Sequence, residues 1–334
     1  MRIDSSAPTR IDLAGGTFDI WPLYLFHERA QTINAALSLR AHCSIVSRQD
    51  GRVVLVSEDT GERVEAASAR ALDFDTLPLV ARLVRHFDAG GIEVTTRSGS
   101  PVGAGIAGSS AMNIAIIAAL ASWTAQPLDA DDALALAMNI EAQVINVPTG
   151  VQDYRPAYYG GVSAVELGPA GVRRVPIPVD AADLSARLVV AYTGAARKSG
   201  INNWEVMKRR IDGDARVIAA FDGIRDAAVG MRDALERHDW PAAGRHLAEE
   251  WKHRTLLAPG VTTPAIDDML ARAKDAGALA GKVCGAGGGG CLFVLIDPTR
   301  RNPVERALET AGAKLLPCRV EADGVRVTTV NAER

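Results

Sequence analysis

The residues best suited to chemistry lie in one run of the sequence, PVGAGIAGSSA, at positions 101–111. Glycines let a backbone approach an anion closely, and the free N–H groups and positive dipole end of a helix hold negative charge. A long apolar helix is predicted to begin at Ala111. The hydroxyl of Ser110 at that junction could ligate the Mg²⁺ that accompanies a nucleoside triphosphate. The predicted phosphate-binding loop would hold the phosphates of a nucleotide through Pro101, Gly103, Gly105, Gly108, Ser109, Ser110 and Ala111.

The residues alone leave two other interpretations of this run open. A glycine-rich turn with one of its serines as a helix N-cap would have the same composition. The three glycines also match the G-x-G-x-x-G spacing of dinucleotide-binding loops. That fingerprint needs an acidic residue about twenty positions on, at the end of a second parallel strand, whereas Asp129 is predicted to open a helix. A Walker A loop is excluded, because the sequence contains no Gly-Lys-Ser or Gly-Lys-Thr.

Two carboxylates with different tasks are expected near a phosphate loop. Phosphoryl transfer needs a positioned hydroxyl, a metal ion on the phosphates and stabilisation of charge. Glu141 lies late on a helix predicted over 129–144, and Asp153 lies in the turn-like run TGVQDY at 149–154. Taken alone, Glu141 would usually be a solvated helix residue and Asp153 a turn-forming one.

The elements predicted around these residues mix strands and helices without regular alternation, which indicates an α+β fold. The region 215–253 is long enough for more than one helix, and Thr263 is predicted to cap a helix that has Pro264 at its first position. The stretch 168–183, rich in Pro, Gly and Asp, predicts a boundary between domains 1–178 and 184–334. Strands are predicted at 41–47, 52–57, 92–96, 162–167, 188–192, 291–296 and 324–330, and helices at 77–89, 111–125, 129–144, 215–253 and 263–276.

Composition limits the classes of function. A length of 334 residues suits two domains, and 48% hydrophobic residues suffices for a buried core. A formal net charge of -3 argues against a nucleic-acid partner and a polybasic membrane anchor. The N-terminal run MRIDSSAPTR lacks the apolar stretch of a signal peptide, and the apolar run 111–123 is too short to cross a bilayer. The four cysteines lack disulfide or metal-ligand spacing, so we expect a cytoplasmic protein with reduced thiols. We also expect a monomer or homodimer without a membrane partner.

Three segments, in order along nearly the whole chain, resemble the motifs of the GHMP kinases (galactokinase, homoserine kinase, mevalonate kinase, phosphomevalonate kinase). The run APTRIDLAGGTFD at 7–19 is similar to the N-terminal substrate motif of that family, the 101–111 loop to its phosphate loop, and KVCGAGGGG at 282–290 to its C-terminal glycine-rich motif. The resemblance implies an ATP-dependent kinase, with Mg²⁺, rather than a dinucleotide-binding protein. It also implies a two-domain fold: a ribosomal protein S5 domain 2-like N-terminal domain and a ferredoxin-like C-terminal domain.

The resemblance implies roles for individual residues. Asp153 matches the catalytic base, Arg10 the basic residue near it, and Glu141 the acid that ligates Mg²⁺ beside Ser110. Asp19 matches an aspartate that accepts hydrogen bonds from sugar hydroxyls, a task that suits a carboxylate. The other substrate-binding candidates are Gly16, Thr17, Gly287, Gly288 and Arg197.

The resemblance favours a sugar as the acceptor. The His-containing pattern usual near this aspartate in the mevalonate branch is absent, and one residue more separates Gly105 from the serine pair than in galactokinase or mevalonate kinase. This longer loop resembles the D-glycero-D-manno-heptose 7-phosphate kinases and the kinase part of bacterial fucokinases. It implies phosphorylation of the anomeric hydroxyl of a substrate like heptose 7-phosphate. Thr17-Phe18, Val151 and Arg155-Pro156 depart from that branch, so fucose, galactose and mevalonate stay open as acceptors.

Cations would be needed to bind an acceptor that already carries a phosphate. Arg197 and Lys198, and with less support His253 and Arg254, are candidates, although each could be solvated surface charge. A non-catalytic sensor with the same fold is the competing hypothesis. Such a protein would be expected to have lost the aspartate, the glutamate or the serine pair, and the chain keeps all of them.

Overall fold

The computed structural model describes residues 1–196 and 203–330. The strands are β1 Arg2–Ala14, β2 Gln31–Ser47, β3 Val53–Ser57, β4 Arg63–Ala66, β5 Ile92–Ser98, β6 Val162–Gly168, β7 Gly171–Pro176, β8 Leu188–Tyr192, β9 Ala278–Val283, β10 Cys291–Ile296, β11 Lys314–Leu315 and β12 Arg326–Val330. The helices are α1 Pro78–His86, α2 Gly108–Trp123, α3 Ala130–Ile145, α4 Tyr154–Tyr159, α5 Ala181–Ala186, α6 Asn203–Ile211, α7 Ala215–Glu236, α8 Trp240–Thr255, α9 Pro264–Asp275 and α10 Arg301–Thr310. In this described part of the chain, no helix is both long enough and apolar enough to cross a bilayer.

The first sheet has eight strands, with β12-β1-β2-β5-β3-β4 as its main order and the β6–β7 hairpin attached to β2. Strand β2 pairs with two partners in succession, because its first half lies against β6 and its second half against β5. Helix α2 is apolar all round and packs on this sheet, with Ala111, Ile114 and Leu120 fully buried. The long hairpin of β1 and β2 thus contains most of the 7–19 motif and supports α2, the helix that follows the predicted phosphate loop.

The second sheet has four strands in the order β11-β8-β10-β9, all antiparallel. It has its own apolar core, in which strand residues such as Val189 and Val294 pack against helix residues such as Met269 and Leu308. The predicted two-domain α+β architecture is confirmed. The last described strand, β12, returns to pair with β1 in the first sheet.

Each predicted strand and helix is present, and most ends differ by a few residues, but β2 begins at Gln31, well before the predicted start at 41. The region 215–253 forms the two helices α7 and α8, and the side chain of Thr263 caps α9 by accepting from the N–H of Ile266. The stretch 168–183 is more ordered than a linker, because it contains the turn and second strand of the β6–β7 hairpin. The chain leaves the first sheet after Pro176, and the division into 1–178 and 184–334 stays a prediction.

Strand β1 is the largest element without a sequence prediction. It contains Pro8, Asp4 and two serines, which are poor strand formers, and the register shifts between Pro8 and Thr9. The strand forms because β2 and β12 supply hydrogen bonds on both sides. Tertiary pairing thus decides an element that local propensity would leave as a loop.

Candidate active site

Arg10 on β1 joins the turn that carries Asp153 to the phosphate loop. Its Nε and Nη2 atoms both donate to Oδ1 of Asp153, at 3.0 and 2.6 Å, and its Nη1 donates to the carbonyl of Gly105 at 3.3 Å. Its backbone N–H donates to the carbonyl of Ile106 at 3.0 Å. Burial disfavours the charge on Arg10, but Asp153 and Asp12 outweigh it, so the pKa of the guanidinium lies above its usual value. The structure thus brings together the two residues that the sequence singles out for catalysis.

The serine pair lies against Glu141. The Ser109 hydroxyl donates to Oε1 of Glu141 at 2.6 Å, and the Ser110 hydroxyl donates to Oε2 at 2.9 Å. Helix α2 begins at Gly108, after Ala107 in a left-handed conformation with φ 58°, and not at Ala111 as predicted. Both serines therefore lie in the first turn, where their hydroxyls bind a carboxylate of α3 and no side chain caps the helix. The N-cap role considered for them is wrong.

Glu141 is a buried acid with a shifted pKa. Burial raises the pKa of the carboxyl, and the hydrogen bonds from Ser109 and Tyr154 offset this only in part. A cation beside the carboxyl would favour its ionised form. Glu141 thus places a buried carboxylate beside the two serines of the phosphate loop.

The oxygens of Ser110 and Glu141 fit a magnesium ion. Mg²⁺ takes hard oxygen ligands, and in nucleotide sites it is held by one or two protein groups together with phosphate oxygens and water. Within the described residues there is no group of three or more Asp, Glu, His or Cys side chains that could hold a metal by itself. The protein oxygens would thus suffice for the ion only together with a bound nucleotide.

Asp19 is buried behind the same turn. Its Oδ2 accepts from the backbone N–H of Gln152 at 3.0 Å, and its backbone carbonyl accepts from the N–H of Val151 at 3.2 Å. A side chain on Gly150 would overlap the Asp19 carboxylate, so glycine is required there. Burial, followed by the negative charge of Asp153, raises the pKa of Asp19 to about 6. The Asp19 carboxylate therefore lies close to that of Asp153, on the other side of the turn's backbone.

Gly16 and Thr17 contact a side chain of the second half of the chain. Arg254 on α8 donates from Nη2 to the Gly16 carbonyl at 2.9 Å and from Nη1 to the Thr17 hydroxyl at 3.0 Å. Arg254 is 2% exposed, so it does not reach solvent as a surface cation would. Sequence reasoning missed its buried partners Asp12, Glu250 and Lys282, although Glu250 and Arg254 have the i,i+4 spacing of a helical ion pair.

The two glycine-rich loops contact each other through their backbones. The N–H of Cys291 donates to the carbonyl of Ala104 at 2.7 Å, and a Cβ on Gly290 would lie 2.7 Å from the same oxygen. Gly287 and Gly288 lie against Val261, whose carbonyl accepts from the N–H of Gly288 at 2.9 Å. The 285–290 segment thus packs on the phosphate loop. Arg197 and Lys198 lie outside the described residues.

The chain belongs to the GHMP kinase family and is a kinase, a phosphotransferase with an alcohol group as acceptor. The descriptions "GHMP kinases N terminal domain" and "GHMP kinases C terminal" match residues 76–161 and 231–314. The chain is 30% identical to the D-glycero-alpha-D-manno-heptose 7-phosphate kinase of Campylobacter jejuni, over 92% of this chain and 93% of that protein. It is 24% identical to a mevalonate kinase of Thermococcus sibiricus over 99% of both chains. The structure of a D-glycero-D-manno-heptose 1-phosphate kinase from Bacteroides thetaiotaomicron superposes with a TM-score of 0.79 and 26% identity, over 99% of this chain and 100% of that one.

Gly290→Ala should push the two glycine loops apart. We expect the variant to lose more than 2 kcal/mol of unfolding free energy, roughly, and to show a higher KM for ATP, because the new Cβ would meet the Ala104 carbonyl. Gly312→Ala is the matched control, since Gly312 has a similar φ of 90° but open space around it. The control should lose only about 1 kcal/mol and keep its KM for ATP. Equal losses in the two variants, measured by denaturant unfolding, would contradict this account of the contact.

Asp19→Asn should stabilise the protein at neutral pH. The folded-state pKa of about 6 lies above the ordinary 3.8, so ionisation of Asp19 removes stability as the pH rises through about 6. We expect the variant to gain on the order of 2 kcal/mol at pH 7.5, and the gain to shrink as the pH falls toward 4. Asp268→Asn, at an exposed ion pair, should change stability by less than about 1 kcal/mol at either pH. A gain that does not depend on pH would show that the pKa of Asp19 is the same in the folded and unfolded states.

Proposed function

We propose that the protein transfers the γ-phosphate of ATP to a hydroxyl of a sugar phosphate, with Asp153 as the base and Arg10 as the group that orients it. The observation that carries this proposal is the pairing of Arg10 with both Asp153 and the Gly105 carbonyl of the phosphate loop. One guanidinium thereby sets the distance between a carboxylate and the loop that would hold the phosphates. A kinase needs that distance fixed, because the acceptor oxygen must lie in line with the phosphorus.

Asp153 has the geometry of a base. Both bonds from Arg10 go to Oδ1, and among the described residues no other group binds Oδ2. The Asp153 side chain is 30% exposed, so an acceptor hydroxyl can reach it. In the proposed step the acceptor oxygen bonds to the γ-phosphorus while the bond from that phosphorus to the β–γ bridging oxygen breaks. The hydroxyl proton passes to Oδ2 of Asp153, and ADP leaves.

The 101–111 loop would hold the nucleotide. Gly103 and Gly105 adopt φ values of 70° and 73°, in the left-handed region that glycine tolerates, and helix α2 begins directly behind them. The helix N-terminus would place N–H groups and a positive dipole end at the phosphates. Mg²⁺ held between Ser110, Glu141 and the phosphates would neutralise charge on the transferring group.

Asp19 supports a polyol as the acceptor. Its carboxylate lies beside the Asp153 turn, where Oδ2 accepts from the Gln152 N–H, and Oδ1 would be the atom that accepts from a sugar hydroxyl. The heptose 7-phosphate kinase of Campylobacter jejuni, 30% identical, is named for a sugar phosphate. We therefore favour the anomeric hydroxyl of a heptose 7-phosphate-like sugar. Arg197 is the candidate for its existing phosphate.

Asp153→Asn should abolish turnover while leaving ATP binding intact. The amide keeps the shape of the carboxylate but cannot take the acceptor proton, so we expect kcat to fall by roughly a hundredfold to ten-thousandfold. Binding of ATP, followed by calorimetry, should change less than about threefold, since the loop is untouched. Asp129→Asn, an exposed cap on α3, serves as control and should keep full activity. Full turnover by Asp153→Asn would sink the assignment of the base.

An ADP-release screen over free and phosphorylated sugars should identify the acceptor. We expect the highest kcat/KM with D-glycero-D-manno-heptose 7-phosphate, and phosphorus NMR of the product should show a new anomeric phosphate. Fucose, galactose and mevalonate belong in the same screen as the other acceptors of the family. A preference for one of them would overturn the heptose assignment but keep the kinase. If none of these compounds causes release of ADP, although ATP–Mg²⁺ raises the Tm, the result would favour a sensor.

A further inference from the structure

Four charged side chains are buried together behind residues 15–19, which we call the acceptor loop because they contain Asp19. Lys282 at the end of β9 lies 2.9 Å from Oδ1 of Asp12 on β1 and 3.0 Å from Oε2 of Glu250 on α8. Arg254, one helical turn after Glu250, pairs with that glutamate and lies 3.6 Å from Oδ2 of Asp12. None of the four side chains is more than 2% exposed. We call this group the buried tetrad; its two acids and two bases sum to zero charge.

The charges of Asp12 and Arg254 are stabilised by their neighbours in the tetrad. Burial opposes ionisation of Asp12, but Lys282 and Arg254 outweigh it and keep the pKa of Asp12 below its usual value. Burial likewise disfavours the charge on Arg254, and Glu250 followed by Asp12 outweighs it, so the pKa of Arg254 is raised. A charge that is buried and paired on two sides leaves its side chain little freedom to move. The guanidinium is thus presented in one fixed orientation.

Arg254 spends its donors within the protein. Nε donates to Oε1 of Glu250 at 2.8 Å, Nη2 donates to the same oxygen and to the Gly16 carbonyl, and Nη1 donates to the Thr17 hydroxyl. A guanidinium has five N–H groups, and these contacts use four of them. Arg254 is therefore unsuited to bind the phosphate of an acceptor, which is the role that sequence reasoning considered for it.

The segment that Arg254 holds has a strained backbone. Thr17 adopts φ 74°, a conformation that is rare for a β-branched residue. Such conformations persist only where the surroundings over-determine them. The two bonds from Arg254 and the close approach of Gly15 to the Gln31 backbone supply that constraint. Two residues further on, the chain presents Asp19 to the turn that carries Asp153.

We propose that Arg254 is a positioning residue for the acceptor loop, fixed by Asp12, Glu250 and Lys282 and fixing Gly16 and Thr17 so that Asp19 faces the acceptor. The proposal rests on the proposed function in that Asp19 is taken as an acceptor-binding group. It joins Lys282, the first residue of the C-terminal glycine-rich motif, and Asp12, within the N-terminal motif, in one connected group. The nucleotide side of the site lies outside this group.

The test compares Arg254→Lys with Thr17→Val and with the double variant. Lysine keeps the tetrad neutral but cannot donate to Gly16 and Thr17 together, and valine removes only the hydroxyl that accepts from Arg254. We expect each single variant to raise the KM for the acceptor by about tenfold or more while the KM for ATP changes less than about threefold. The effects should not add in the double variant, because both changes break the same contact.

A matched control separates the loop contact from the ion pair itself. Arg272→Lys alters an i,i+4 pair on the neighbouring helix α9, where Arg272 and Asp268 are both about half exposed. It should leave both KM values unchanged. Thr17→Ser, which keeps the hydroxyl, should restore most of the acceptor affinity that Thr17→Val loses.

A readout without substrate keeps the test decisive. Amide hydrogen exchange over residues 14–20 should rise in Arg254→Lys, while exchange over 101–111 stays as in the wild type. If no acceptor is found, the proposed function fails and the exchange result still decides the positioning role. Unchanged exchange at 14–20, an acceptor KM that stays constant while the Tm falls, or additive effects of the two single variants would each overturn the proposal.

Discussion

The buried tetrad ties the two halves of the chain together, because its two acids and two bases come from both halves. Removing a charge from water costs several kcal/mol unless partners of opposite sign compensate it, and removing one member of a buried group leaves an uncompensated charge. Asp12, Glu250, Arg254 and Lys282 come from β1, α8 and β9, so their mutual neutralisation is possible in one arrangement of these elements. That arrangement places the start of the C-terminal glycine-rich motif against the N-terminal motif. The packing of the second sheet on the first is thereby tied to the geometry of the site.

Backbone approach supplies a second constraint. The 285–290 loop meets the phosphate loop through a 2.7 Å hydrogen bond from Cys291 to the Ala104 carbonyl, with Gly290 at the point of closest approach. Such a contact leaves no room for a side chain at position 290, which explains the glycine there. The loop that would hold ATP is therefore supported from the far half of the chain. Its shape depends on the assembled protein.

The three acids of the site lie in different surroundings. Asp153 is paired with a buried guanidinium, Glu141 accepts from two serine hydroxyls, and Asp19 accepts from a backbone N–H while Asp153 lies nearby. Burial raises the pKa of Glu141 and of Asp19, to about 6 in the latter. An enzyme that must take a proton, hold a metal and bind hydroxyl groups at neutral pH needs acids in different environments. The fold separates these environments within one turn and two helices.

The family and most of the helices and strands could be predicted from the sequence, because three motifs of glycines and charged residues stand in a recognisable order along the chain. Arg10, Asp153, Glu141 and Asp19 could be named in advance because each stands in a motif with its own chemistry. Three features could not be predicted locally and are seen only in the folded structure: β1 is a strand, α2 begins before the serine pair, and Arg254 is buried. Each of these depends on partners far away in the chain: β2 and β12 for the strand, Glu141 for the serines, Asp12 and Lys282 for the arginine. A single side chain carries no local sign of whether it will be solvated or buried beside an opposite charge, so its environment is fixed only when the two sheets come together.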